Sequence, residues 1–276
     1  MAWALPQTIM SATVEVEQPL PDGKHTIGTG FLINAPAPDG RARTVLVTAN
    51  HVFDRMTEAQ AHVGYRVQGK DGAWRYDPEP IVIRAHAAAL WTRNPDRDVA
   101  AIVVKAPAAF AKAAIPLSWL AGGDTYAKYG IGPGDEMMVL GYPQGLSADS
   151  AGFPILRSGR VASLIDPPRE SPTFLLDFRV FPGNSGGPVY ISETRPASEA
   201  NPAEPVQFVT GMLTQQVELG DVRLEIGIVT DAQFIRDTIA LLDRPHAAPD
   251  AMPTPVPTPG APVTDAAAAV GDAVSD

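Results

Sequence analysis

The stretch FPGNSGGPV, residues 181–189, determines how the rest of the chain is interpreted. A serine between glycines, with a proline on each side, is excluded from the middle of a helix and poorly suited to the middle of a strand. The stretch therefore predicts a tight turn that holds the Ser185 hydroxyl outward. Gly183 and Gly187 allow backbone angles that other residues avoid, and they let a second molecule approach the main chain. A nucleophilic serine needs such a turn, together with a base and N–H donors for the oxyanion.

Two upstream segments can supply the base and a carboxylate. VLVTANHV, residues 45–52, is an apolar strand that runs into His51, and RDVAAIVV, residues 97–104, places Asp98 before a β-branched run. The chain order is therefore His, Asp, Ser. Asp96 lies two residues before Asp98. On an extended strand both carboxylates point to the same side, so Asp96 remains a competing candidate.

Together these segments resemble the trypsin-like serine peptidases, and most nearly the bacterial HtrA-type branch of the chymotrypsin-fold family. The similarity covers roughly residues 8–243. It depends on the order of several motifs, since any one of them alone would be weak. The motifs are GTGFLI at 28–33, TANHV at 48–52, DVAAIVV at 98–104, LGYPQG at 140–145, SGRVAS at 158–163 and GNSGGPV at 183–189.

The resemblance implies a catalytic triad. Ser185 would be the nucleophile and His51 the general base, while Asp98 would fix the tautomer of the imidazole and stabilise the imidazolium. The family motif favours Asp98 over Asp96, because only Asp98 adjoins the apolar run directly. The N–H groups of Gly183 and Ser185 would form the oxyanion hole.

The resemblance also implies a polypeptide substrate that binds as an added strand. Matching GMLT, residues 211–214, to the family's strand places the pairing backbone at Thr214, Gln215 and Gln216. Gly227 is expected to line the specificity pocket. Arg179 either lies at the base of that pocket, where it would favour an acidic side chain, or is a surface arginine on an edge strand.

Two other functions fit parts of the same sequence pattern. The pattern Gly183-x-Ser185-x-Gly187 also fits the nucleophile elbow of an α/β-hydrolase, which needs a helix after the serine and a catalytic histidine later in the chain. Here PVYI, residues 188–191, indicates a strand, and the only later histidine is His246, close to the C-terminus. The esterase interpretation fails on both points. A catalytically silent peptide-binding module on the same fold remains the alternative.

Composition excludes several further classes. The 276 residues include no cysteine, which removes disulfides, thiol catalysis and thiolate metal sites. The formal net charge of −10 argues against a nucleic-acid partner. We expect no membrane span, no metal and no cofactor, because the sequence has no long apolar run, metal-binding motif or phosphate loop. No secretory signal is seen, which favours the cytoplasm. The oligomeric state is not predicted.

The pattern of short strands and frequent turns predicts an all-β fold of two antiparallel six-stranded β-barrels, chymotrypsin-like, with a C-terminal helix and a disordered tail. The first barrel should occupy residues 8–115 and the second, with its helix, residues 116–243, leaving 244–276 as the tail. The first strand is expected at 8–16, a helical turn at 53–60, a strand at 155–165 and an exposed loop at 192–205. The helix should begin after Asp231 as its N-cap.

Overall fold

The computed structural model describes residues 4–20, 23–86, 88–165, 173–195, 204–219 and 222–243. The predicted disordered tail lies outside these ranges. The N-terminal half contains, in chain order, α1 Ala4–Ala12, β1 Thr13–Pro19, β2 His25–Asn34, β3 Thr44–Thr48, α2 Asn50–Asp54, β4 Gln60–Gln68, β5 Trp74–Val82, β6 Arg84–Ala85, β7 Ala88–Ala89, β8 Thr92–Arg93 and β9 Ala100–Val104.

The first element corrects a prediction. Residues 8–12, expected to begin the first strand, belong to helix α1, and the strand starts only at Thr13. Leu5, Ile9 and Ala12 lie on one helical face and are fully buried. Residues 8–12 therefore complete the buried stripe of a helix, and the strand follows it directly.

The N-terminal strands form an eight-stranded sheet in the order β5-β4-β1-β2-β3-β9-β8, and β10, Ile115–Pro116, pairs in parallel with β2. The prediction of a six-stranded barrel here is therefore not confirmed, because the sheet is an open path. Its end strands explain this. β5 carries Pro78 and Pro80, which have no N–H to donate, and β8 is only two residues long. The predicted domain boundary after residue 115 falls inside β10.

A connecting region follows β9 and leads to the second half. It contains α3 Ala108–Ala113, β10, a 3-10 turn Leu117–Trp119 and α4 Thr125–Tyr129. The second half then contains β11 Glu136–Gly141, a 3-10 turn Pro143–Gly145, β12 Ile155–Val161, β13 Thr173–Asp177, β14 Pro188–Arg195, β15 Glu204–Leu219, β16 Val222–Asp231 and α5 Ala232–Leu241.

The six strands of the second half close into a barrel in the order β11-β12-β13-β16-β15-β14. Each of these strands pairs with two neighbours, so the barrel predicted for this half is confirmed. Two expected boundaries were wrong: β12 ends at Val161 rather than at residue 165, and Ser192–Arg195 pairs with Glu204–Gln207 where a loop was expected from 192 to 205.

Helix α5 begins as predicted. The Asp231 side chain accepts a hydrogen bond of 2.7 Å from the Gln233 N–H, which is the role of an N-cap. Ile235, Thr238 and Ile239 are buried, so this face packs against the protein. None of the helices in the described ranges has the length and hydropathy needed to cross a membrane.

Candidate active site

Helix α2 positions His51. The helical turn predicted for residues 53–60 lies earlier, at Asn50–Asp54, and so includes the histidine itself. The N-cap residue of this helix is Ala49, whose side chain makes no capping hydrogen bond. Instead the Asp98 carboxylate accepts a 2.9 Å hydrogen bond from the His51 backbone N–H, one of the N–H groups left without an intrahelical partner at a helix start. The same carboxylate therefore holds the backbone of His51 as well as its ring.

The ring contact is short. Asp98 Oδ2 lies 2.6 Å from His51 Nδ1, and the two side chains are 22% and 23% exposed. Asp96, the competing carboxylate, is exposed, and the backbone N–H groups of Asp96 and Arg97 donate to the Asn94 side chain. The structure thus brings Asp98 to the imidazole through two separate hydrogen bonds.

Trp91 also holds the helix that carries His51. The indole N–H donates to Asn50 Oδ1 at 2.9 Å, and the ring packs on Phe53 with centroids 5.2 Å apart. Arg84 lies over the same indole, with its guanidinium carbon 4.8 Å from the ring centroid, and donates to the Phe53 carbonyl. A one-turn helix has little stability of its own, so these contacts fix where the histidine stands.

Ser185 lies in the turn that leads into β14. Its hydroxyl donates to the Thr214 carbonyl at 3.1 Å, and its own carbonyl accepts from the Thr29 N–H at 2.9 Å. Gly186 has a φ of 90°, and a Cβ added there would collide with the Thr29 carbonyl and the Thr48 hydroxyl. The serine turn is therefore pressed against the end of β3, which leads directly into the helix of His51.

The two predicted oxyanion donors are oriented by the carbonyls of their own peptide groups. Because a trans peptide is planar, its N–H points away from its C=O. The Pro182 carbonyl accepts from the Gln144 N–H at 2.6 Å, and the Asn184 carbonyl accepts from the Gly187 N–H at 3.0 Å. These contacts fix the Pro182–Gly183 and Asn184–Ser185 peptides. Within the described ranges the N–H groups of Gly183 and Ser185 donate to no protein acceptor.

Thr29 is a residue of this site that the sequence analysis did not single out. Its hydroxyl donates to the Gly183 carbonyl at 2.6 Å and accepts from the Tyr142 N–H at 3.1 Å. It lies in the GTGFLI motif, and Gln144 lies in the LGYPQG motif. Their contacts run between segments more than 30 residues apart in the chain, and nothing in the local pattern indicates them.

The predicted substrate strand runs along β15. The pairing with β16 joins Leu213 to Val229 and Gln215 to Ile228, so Thr214 is an extra residue that forms a β-bulge. This bulge turns the Thr214 carbonyl to the Ser185 hydroxyl. Pairing of β15 with β14 ends at Met212, and Gln215 is exposed. On the side of β15 that faces β14, the backbone therefore continues beyond the last residue that β14 pairs with.

The two predicted pocket residues have different positions. Gly227 is buried, and a Cβ there would lie 3.0 Å from Leu213 and 3.3 Å from Val180, so its surroundings are apolar. Arg179 is 60% exposed and pairs with Glu225 at 3.2 Å. Its guanidinium also lies over Phe181. Of the two positions expected for Arg179, the structure shows the surface arginine and not a residue at the base of a buried pocket.

Comparison with known proteins gives a family match. The family described as trypsin-like peptidase domain matches residues 28–195 of the chain. This range contains the serine turn together with His51 and Asp98. No curated protein sequence matches the chain. No three histidine or carboxylate side chains in the described part of the chain are grouped so that they could hold a metal ion.

Solved structures with the same fold are distant in sequence. The HtrA-type protease AlgW with a bound tripeptide superimposes with a TM-score of 0.52 at 15% identity, over 88% of this chain and 64% of that one. The Rv3671c protease from M. tuberculosis in its active form gives a TM-score of 0.51 at 20% identity, over 89% of this chain and 86% of that one. The chain thus spans just under two thirds of the length of AlgW.

Proposed function

The chain belongs to the trypsin-like peptidase domain family, and from this premise we propose that it is a serine endopeptidase that acts through His51, Asp98 and Ser185. One observation carries the proposal beyond family membership: Asp98 contacts both the backbone and the Nδ1 atom of His51. A carboxylate in this position accepts a hydrogen bond from the Nδ1–H and leaves the Nε2 lone pair available as a base.

The chemistry follows from these groups. The Ser185 hydroxyl gives up its hydrogen bond to the Thr214 carbonyl and transfers its proton to His51. The Ser185 oxygen then attacks the carbonyl carbon of the scissile peptide bond. The negative charge that develops on the peptide oxygen is stabilised by the N–H groups of Gly183 and Ser185. The imidazolium then protonates the departing amine, and a water activated by His51 releases the acyl group from Ser185.

We further propose that the substrate main chain pairs with β15 from Thr214 to Gln216. This segment lies beside Ser185 and extends past the end of the β14 pairing. An extended peptide added to such an edge gains main-chain hydrogen bonds whatever its sequence. Specificity would then depend on the side-chain pockets, and the apolar surroundings of Gly227 give no support for an acidic preference.

A fluorophosphonate probe tests the proposal. Such a probe reacts with an activated serine, so the intact protein should be labelled and Ser185→Ala should not. Asp98→Asn should reduce kcat on a peptide substrate by about 10⁴-fold, because the imidazole loses the partner that sets its tautomer. Asp96→Asn is the matched control and should leave kcat unchanged. Absence of labelling in the intact protein would support the silent peptide-binding module instead.

A further inference from the structure

Arg66 is a buried cation that takes no part in the proposed peptidase chemistry. It projects from β4 and is 1% exposed. Its Nη2 donates at 2.8 Å to the carbonyls of Ser11 and Thr13, and its Nη1 to the Tyr142 hydroxyl at 2.9 Å and the Gly152 carbonyl at 3.1 Å. All of these acceptors are neutral. In the described part of the chain no carboxylate oxygen lies within 4.0 Å of its guanidinium.

A buried charge is ordinarily paired, because removing it from water is costly. Burial lowers the pKa of Arg66, as expected for a cation without a counter-ion, yet a guanidinium stays protonated in proteins. The acidic group that influences it is Asp149. That carboxylate is already engaged, since it accepts from the backbone N–H groups of Ala151 and Phe153. The charge of Arg66 therefore has no dedicated partner.

Arg66 also forms part of the lining of a cavity of about 100 Å³. A guanidinium has five N–H donors. The four donors on Nη1 and Nη2 have acceptors. The Nε–H donates to no described residue, and the Nε atom is not completely buried. It is therefore the donor left to face the cavity. Ser11, whose hydroxyl makes no hydrogen bond to a described residue, is the other polar residue of the lining.

The rest of the lining is apolar. Phe110 and Phe153 lie on the guanidinium, with centroids 5.0 and 4.9 Å from its carbon. Trp74 packs on Phe153 at 5.5 Å and is 44% exposed, which places it at the mouth. The remaining wall is formed by Ala109 and Ala113 of α3.

We propose that this cavity is a binding site for a small monocarboxylate. The carboxylate would accept from Arg66 Nε and the Ser11 hydroxyl, and a short aliphatic body would lie between Phe110, Phe153 and the alanines of α3. A charge-assisted hydrogen bond of this kind is stronger than a neutral one. A cavity of roughly 150 Å³ accommodates benzene, so this smaller cavity, which opens at Trp74, suits an aliphatic chain of about three carbons with the carboxylate at its end. The site is independent of the proposed peptidase activity.

Butyrate and its neutral isostere butyramide are the probes. At constant ionic strength, butyrate should raise the melting temperature of the full chain saturably, because a ligand that binds only the folded state stabilises it. The half-saturating concentration of butyramide should be at least tenfold higher, which is the difference expected for a hydrogen bond to a charged group. Equal effects of the two compounds, or no saturable effect of butyrate, would overturn the proposal.

Two variants locate the binding. Ala113→Leu and Ala109→Leu each add a larger side chain to the lining on α3 and keep Arg66 itself, and either should abolish the butyrate effect. Ala108→Leu lies on the same helix at an exposed position outside the lining and should retain it. Substitution of Arg66 itself removes contacts to three segments and is therefore a poor test. A butyrate effect that persists in both filled variants would show that the anion binds elsewhere.

Discussion

Gln144 shows how a single backbone conformation can control a site. Its φ is 55° in the 3-10 turn after Tyr142, a left-handed value that is unfavourable for any residue with a Cβ. In that conformation its N–H donates to the Pro182 carbonyl and fixes the peptide whose N–H belongs to Gly183. Unfavourable backbone angles that surrounding structure maintains are typical of functional sites.

Two substitutions at residue 144 separate the backbone N–H from the side chain. Gln144→Gly keeps the N–H and relieves the left-handed strain, so it should keep kcat and gain about 1 kcal/mol of unfolding free energy. Gln144→Pro removes the N–H and cannot adopt a positive φ. Because the Gly183 peptide is then free to rotate, kcat should fall by about 10²-fold, as for loss of one oxyanion donor, with a much smaller change in KM. A proline variant that kept kcat within threefold would show that Gln144 does not orient the hole.

At this scale the sequence is most informative where a residue type is itself required by the chemistry. Ser185, His51 and Asp98 could be proposed because hydroxyl, imidazole and carboxylate occur in characteristic local surroundings. Gln144 and Thr29 could not be proposed in this way. Gln144 contributes only its backbone N–H, and the Thr29 hydroxyl contacts a carbonyl 154 residues away in the chain. Arg179 was ambiguous, since its exposure depends on the fold.

Among the elements, α5 carries a buried acid. Asp231 is the helix N-cap and also accepts from the Tyr126 hydroxyl at 2.8 Å, while being only 3% exposed. Burial raises its pKa to about 6, although the hydrogen bonds from Gln233 and Tyr126 act in the opposite direction. The Tyr126 hydroxyl lies 2.7 Å from the Thr210 carbonyl as well. A protonated Asp231 could donate to Tyr126, which would then donate to Thr210.

The pH dependence of stability follows from this raised pKa. The unfolded chain loses the Asp231 proton near the ordinary aspartate pKa of 3.8, whereas the folded protein holds it until about pH 6. The contribution of Asp231 is therefore greatest below pH 3.8 and is lost as the pH rises through about 6. Relative to Asp231→Asn, which keeps the cap, the wild-type free energy of unfolding should fall by roughly 3 kcal/mol between pH 4 and 7.

Urea denaturation at a series of pH values measures this difference. Subtracting the curve of the variant removes the contribution of every other titrating group. Thr238→Val, on the same helix and without a titratable group, is the control and should run parallel to the wild type. A difference between wild type and Asp231→Asn that does not vary with pH would show that the carboxyl titrates at its ordinary value in the folded protein.

The elements also show where periodicity misleads. The strands of the closed barrel and the start of α5 were predicted because alternation, turn residues and a capping aspartate agree with each other there. Helix α1 was missed because its buried stripe of Leu5, Ile9 and Ala12 runs straight into the alternation of β1 with no turn residue between them. Strand β5 contains Pro78 and Pro80, which are unfavourable in a central strand but tolerated in an edge strand.

For the whole molecule, the contacts between the two halves decide whether the site is assembled. Thr29 of the N-terminal sheet donates its N–H to Ser185 and its hydroxyl to Gly183, both of which lie in the turn before β14. The Thr48 hydroxyl in turn donates to the Thr29 carbonyl. A layout of two halves could be predicted from the order of the motifs. The open sheet of the first half could not be predicted, because closure depends on which strands lie at the two ends of the sheet.

Thr29→Val tests this connection, with Thr29→Ser as its matched control. Valine keeps the shape and β-branching of threonine but leaves the buried Gly183 carbonyl and Tyr142 N–H without a partner. Each such group costs about 1–3 kcal/mol, so the free energy of unfolding should fall by roughly 2–6 kcal/mol with no change in the urea m-value. Because the same contact holds the turn of Ser185, fluorophosphonate labelling should also slow at least tenfold in the valine variant. Serine keeps the hydroxyl and should stay near the wild type in both measurements. Equal behaviour of the valine and serine variants would mean that the apolar core alone holds the two halves in register.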